Sequence, residues 1–178
     1  MTGTGIGASV KRVEDQRFLT GNGNYTDDIN RPGQSHAWIL RSPHAHATLK
    51  SVDTSKAEKA DGVIAIFTGA DMAADEIGGL PCGWQIHNKD GSPMLEPGHP
   101  PLAHEKVRYV GDQVAIVIAA TRDAARDAAE LIEIDYGVLP AVIDMDSALA
   151  GGTLVHDDVP NNRCFDWEIG EKDAVDEA

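Results

Sequence analysis

Cysteine is nearly missing from this 178-residue chain: Cys82 and Cys164 stand far apart, with no CxxC spacing. That favours two reduced thiols in a cytoplasmic protein over a disulfide. Aromatic residues make up only 5% of the sequence. No apolar run approaches the ~18 residues that span a bilayer; the longest is "VAIVIAA". No basic patch followed by an apolar core opens the chain, so no secretory leader is expected. Basic residues are scarce where acids are dense. Residues 1–89 hold ten acids against nine bases, whereas residues 90–178 hold nineteen against six. Such a half repels a phosphate backbone and argues against a nucleic-acid partner.

Glycine is plentiful, and two early stretches, "TGTGIG" and "TGNGNYTDD", raise the question of phosphate binding. A dinucleotide fingerprint needs a strand before its glycines and a helix after them, and neither stretch has both. No GxxxxGK[ST] is present. Gly21-Asn22-Gly23-Asn24 suits a tight turn of successive residues at positive φ.

Seven histidines, at 36, 44, 46, 87, 99, 104 and 156, invite a search for metal ligands. His44 and His46 fall on one face if their segment is a strand, but Pro43 interrupts it and no third ligand follows at suitable spacing. Ser42 and Ser92 lack a glycine elbow, so no hydrolase triad is indicated. Cys82 and His87 are near in sequence only. Glu14-Asp15 and Asp27-Asp28 suit surface pairing with Arg12 and Arg17 better than acid–base work. The expectation is no catalytic, no cofactor-binding and no metal-ligating residue in this chain.

The coarse pattern interleaves strands and helices. Residues 1–33 read as an extended arm. Strands are expected over 36–42, pairing with 47–53, and over 62–69, where a continuous apolar run suggests a central strand. A short helix is expected over 55–60. Residues 75–101 carry five prolines and five glycines, a long loop of the kind that is functional or folded against a neighbour. Strand character returns over 106–120, with a turn at Gly111-Asp112. Thr121 caps a helix over 122–131 with alanines at 124, 125, 128 and 129 on one face. Residues 131–137 alternate, Ile132, Ile134 and Tyr136 against Glu133 and Asp135. Residues 139–152 read as a short strand and then helical turns. The last nine residues begin an amphipathic helix without a terminating signal, so the polypeptide reads as part of something longer.

Taken together, "VKRVEDQRFLTGNGNYTDDI", "PGQSHAWILRSPHAHATLKSVD", "GVIAIFTGAD", "LAHEKVRYVGDQVAIVIAATRDAARDAAELIEIDY" and "LPAV" resemble the molybdenum-binding large subunit of the xanthine dehydrogenase, aldehyde oxidase and carbon monoxide dehydrogenase family. The likeness runs from about Ser9 to about Asn162. It implies an α+β fold, the α/β hammerhead, with a mixed sheet, two or three short packed helices and the long Gly/Pro-rich loop. The implied layout is an arm over 1–33, the hammerhead over 34–150, and over 151–178 a linker with the start of a further domain. The family hydroxylates or oxidises aldehydes, N-heterocycles or carbon monoxide. Its cofactor is molybdopterin, with [2Fe–2S] clusters and FAD on companion subunits. The implied partners are the remainder of the large subunit and those FAD-binding and iron–sulfur subunits. The family's pterin-contacting segments and catalytic glutamate match nothing in these residues, so the chain itself is expected to be inactive and architectural. The competing reading is a stand-alone binding or assembly module that reuses the fold without redox work.

Overall fold

The computed structural model describes residues 5–170 and 175–177, and the chain divides into two compact units, residues 1–34 and 35–178. The helix expected over the last nine residues falls largely outside the described residues, as does the first half of "TGTGIG".

The first unit is less extended than its composition suggests. A short helix, α1 (Asp15–Leu19), is closed by a Schellman motif. The Asn22 N–H donates to the Arg17 carbonyl at 2.9 Å and the Gly21 N–H to the Phe18 carbonyl at 3.1 Å. Gly21 adopts φ +73°, the left-handed conformation such a stop requires. Gly21 alone of the expected run takes positive φ, because one left-handed residue suffices to reverse the chain. Phe18 stacks on Tyr25, with ring centroids 5.5 Å apart. No described residue of this unit is buried.

The second unit holds two three-stranded sheets. One has the order β1 (His36–Arg41), β5 (Gln113–Ala119), β3 (Val63–Thr68); the other β4 (Lys106–Val107), β2 (Ala47–Asp53), β6 (Glu133–Val138). Every pairing is antiparallel, so two antiparallel sheets replace the single mixed sheet expected within the α+β class. β1 pairs with β5 and not with β2. Pro43 and the turn through His46 carry the chain to the other sheet instead of folding it back as a hairpin. β3 is an edge strand, with Ile64 62% exposed. The central position belongs to β5, whose Val114, Ala115, Val117 and Ala119 are fully buried.

Helix α3 (Arg122–Ala129) lies on the first sheet through Ala125, Ala128 and Ala129, and its small side chains allow the close approach. The Thr121 hydroxyl oxygen accepts the Ala124 N–H at 3.1 Å and caps it. A second cluster, Ala47, Ala103, Val107 and Val114, fills the other sheet. Val52 and Ile134 pack against both clusters and join them. Helix α2 (Gly69–Ala74) is an addition to the sequence reading. Its signal was Thr68 followed three residues later by Asp71, whose carboxylate accepts both the Thr68 N–H and hydroxyl. The expected helix over 55–60 is a single 3-10 turn at Ala57–Lys59. The strand expected from Leu139 does not form, since Pro140 has no N–H to donate; α4 (Met145–Ala150) follows, capped by Asp144.

Candidate functional site

The turn at Gly111-Asp112 is where the chain passes from one sheet to the other, and a cleft forms beside it. The Asp112 carboxylate is 8% exposed and accepts the Arg108 N–H at 2.8 Å. Ser42 N–H donates to the Asp112 carbonyl and Gly111 N–H to the Ser42 carbonyl, each at 2.8 Å, which ties this corner to the end of β1. The Arg108 guanidinium donates to the Val155 carbonyl at 3.2 Å. Lys106 pairs with Asp157 at 2.6 Å. Lys106, Arg108, Asp112 and Val155, with His99, Tyr109 and His156, line a cleft of about 290 Å³. An adjoining hollow of about 270 Å³ adds His104, Glu105 and Asp158. Burial, and then the neighbouring Arg108, hold the His156 imidazole below its ordinary range, and Asp158 and Asp157 oppose this in part. Burial and the Asp112 charge raise the Tyr109 phenol.

The cleft therefore presents a neutral imidazole between fixed charges that already have protein partners. Among the described residues, no serine or cysteine lines it. The Ser42 hydroxyl donates to the His44 carbonyl and accepts the His44 N–H, a local turn that occupies it. Ser92 donates to Asp90 at 2.6 Å in another turn.

His99, His104 and His156 line the cleft or its adjoining hollow, and the other four histidines are not among the lining residues. His44 meets the Tyr136 ring edge-on at 4.7 Å. His46, in the turn before β2, is buried, and its Nδ1–H donates to the Pro140 carbonyl at 2.9 Å. A carbonyl only accepts, so the proton sits on Nδ1 and the buried Nε2 has no partner among the described residues. His36 lies on β1, and His87 forms an isolated bridge with Pro93. Among the described residues no group of three or more His, Cys, Asp or Glu side chains is placed to hold a metal ion. The Cys82 thiol donates to the Trp84 carbonyl at 3.2 Å, while burial pushes the Cys164 thiol upward. Glu14 pairs with Arg17 at 3.3 Å, the surface pairing expected, and Asp28 accepts the Tyr25 N–H.

The loop over 75–101 is ordered by polar contacts that the sequence reading did not anticipate. Glu96 accepts the Cys82 N–H and the Gln85 amide, both at 2.7 Å. Asn88 N–H bonds the Ser92 carbonyl at 2.8 Å across a turn whose Gly91 takes φ +82°. Lys89 bridges Asp166 and Glu168, each at 3.2 Å. The signal available was the lone lysine in "HNKDG" and the alternation in "CFDWEIG". No helix among the described residues is long and apolar enough to cross a membrane.

Comparison with known proteins places this architecture. The family model described as the aldehyde oxidase and xanthine dehydrogenase a/b hammerhead domain matches residues 20–140. The carbon monoxide dehydrogenase large chain of Afipia carboxidovorans is 37% identical over 97% of this chain and 22% of its own length. The nicotine 6-hydroxylase large subunit of Paenarthrobacter nicotinovorans is 38% identical over 88% of this chain and 18% of its own. Among solved structures, reconstituted CO dehydrogenase from Oligotropha carboxidovorans superposes with a TM-score of 0.74 at 37% identity, covering 97% of this chain and 22% of that one. The chain thus spans about a fifth of the relatives it matches. With the match extending over both sheets and α3, the chain belongs to the α/β hammerhead domain family of aldehyde oxidase and xanthine dehydrogenase.

Proposed function

We propose that the chain serves as the hammerhead portion of a molybdenum hydroxylase large subunit. In this reading it is architectural: its sheets support the cofactor-bearing remainder and contribute no catalytic, cofactor-binding or metal-ligating residue. The supporting observation is the family match over residues 20–140, joined to relatives about five times longer. The names of those relatives, a carbon monoxide dehydrogenase and a nicotine hydroxylase, and the family's description as aldehyde oxidase and xanthine dehydrogenase point to carbon monoxide, N-heterocycles or aldehydes as the parent's substrate class.

Molybdopterin belongs, in this reading, to the rest of the large subunit. This is supported by the cleft, where the Lys106 and Arg108 heads that an anionic pterin phosphate would need are already engaged by Asp157 and the Val155 carbonyl. No step of the reaction is routed through this chain. The [2Fe–2S] clusters and FAD belong to companion subunits, and the complex to the cytoplasm. Within the chain, residues 1–33 act as a lead-in arm, 34–150 as the hammerhead, and 151–178 as the passage to the next domain.

The test is dye-coupled oxidation of an aldehyde, an N-heterocycle and carbon monoxide by the purified chain. Turnover no greater than a protein-free blank is expected, and turnover above it overturns the architectural reading.

A further inference from the structure

The segment "CFDWEIG" (Cys164–Gly170) lies against the loop over 75–101, and alternate residues along it differ in their surroundings. On one side Asp166 and Glu168 turn toward the loop and share the Lys89 ammonium, at 3.2 Å each, while Arg163 reaches Asp166 at 3.5 Å. The main chain follows the same alternation. The Lys89 N–H donates to the Asp166 carbonyl at 2.9 Å and the Leu95 N–H to the Cys164 carbonyl at 2.8 Å. The Asp166 N–H in turn donates to Asn88 Oδ1 at 2.6 Å.

The other side is apolar and uncovered. Phe165, Trp167 and Ile169 stand at i, i+2 and i+4 and are 47%, 48% and 83% exposed. Trp84 and Leu80 of the same loop are 77% and 57% exposed. Among the described residues, the N–H and C=O of Phe165 and Trp167 make no main-chain hydrogen bond, so the strip also keeps an open backbone edge. Two of the chain's three tryptophans therefore sit on one polar-clamped lobe, Trp84 largely exposed and Trp167 half-exposed. Concentrating large apolar side chains in this way is costly for a surface meant to stay bare.

Resting on the reading of the chain as part of a large subunit, we infer that the Phe165–Trp167–Ile169 strip is the seam on which the remainder of that subunit docks. That remainder covers the apolar face and offers an extended segment to the open edge. The occupant follows from length. Nearly four-fifths of the Afipia carboxidovorans relative has no counterpart here, and that much polypeptide supplies the apolar surface and strand edge that the strip lacks. The Lys89 clamp fixes the strip before docking, so the partner meets a preformed edge and not a loose tail.

The experiment mixes this chain with the Afipia carboxidovorans large chain from which the matched segment has been deleted. Sedimentation and tryptophan emission are followed for the wild-type chain and for the triple variant Phe165→Ser, Trp167→Ser, Ile169→Ser. The wild-type chain is expected to bind with a blue shift. The triple variant should bind at least about 100-fold more weakly, as removal of clustered apolar anchors does, while its own melting temperature is unchanged. A covalent chimera, with this chain in place of the matched segment, makes the same comparison without relying on the deleted chain to fold. There, hydroxyl-radical modification of Trp167 is expected to be several-fold slower than in the free chain, and an unchanged rate overturns the seam. Equal binding by wild type and variant places docking elsewhere and overturns the seam while leaving the architectural reading intact. No binding, together with an unprotected chimera, overturns both. Self-association of the wild-type chain that the triple variant abolishes makes a second copy the occupant, and the inference fails.

Discussion

The two sheets and the lobe of residues 75–101 are held together by different physics. Val107, Val114 and Val117 are fully buried in the sheets, and the alanines of α3 meet the first sheet with no solvent between them. Apolar area removed from water at roughly 25 cal/mol per Å² stabilises that part from within. From Asp75 to Pro101 no residue is buried. Glu96, Asn88, Asp90 and Lys89 shape the lobe with hydrogen bonds and ion pairs that solvent reaches, each worth little on its own. The sheets are finished as they stand, whereas the lobe has a defined shape and no interior.

The sharpest way to probe the finished part is to intrude on its tightest approach. A Cβ at Gly69 would lie 2.2 Å from the Ala103 carbonyl oxygen and 2.7 Å from the His104 Cα, so the obstacle is main chain and cannot swing aside. Gly69→Ala is expected to cost about 3 kcal/mol, the upper end for overpacking, read as a lower midpoint in chemical denaturation. An unchanged midpoint would mean that α2 and residues 103–104 move apart freely, and the sheets would be no tighter than the lobe. Next in size is Thr121→Ala, which removes the oxygen that accepts the Ala124 N–H. A loss of about 1 kcal/mol is expected, measured in the same way.

How far the sequence spoke for each region follows the same division. Thr121 and the alanines of α3 were readable because a helix is specified by neighbours three and four residues apart. The alternation of β6 was readable for a similar reason, and Glu133 and Asp135 are exposed where Ile132 is buried. Strand partners were not. His36 pairs with Ala119 across more than eighty residues, and nothing local to β1 distinguishes that partner from β2. The apolar run of β3 suggested a central strand, yet an edge strand covered by neighbours on one side carries the same residues. The family resemblance covered the fold. It did not disclose the Lys89 clamp, whose partners Asp166 and Glu168 are chosen by tertiary contact alone.

A smaller effect comes from the cleft at the junction of the sheets. Burial and Arg108 depress the His156 imidazole in the folded chain, and His99 adds to this, so the unfolded chain binds more protons. The stability this group contributes is present in full above its ordinary value of 6.5 and is lost as pH falls through that value toward the lower, folded one. Stability of the wild-type chain should therefore decline between pH 7 and pH 5 more steeply than that of His156→Gln. Parallel pH profiles would remove His156 from the account and leave the carboxylates responsible for any decline.

The smallest expected effect carries the comparison furthest. Trp84→Ser deletes the largest side chain of the lobe, and the same change in a sheet would leave a void worth several kcal/mol. Trp84 is 77% exposed, so it touches little that folding of this chain has buried. The midpoint of chemical denaturation is expected to move by no more than about 0.5 kcal/mol, while the tryptophan emission loses its most solvent-exposed component. A loss of 2 kcal/mol or so, the scale of a buried aromatic, would show that the lobe has an interior of its own. The distinction between a self-sufficient region and one completed from outside would then disappear.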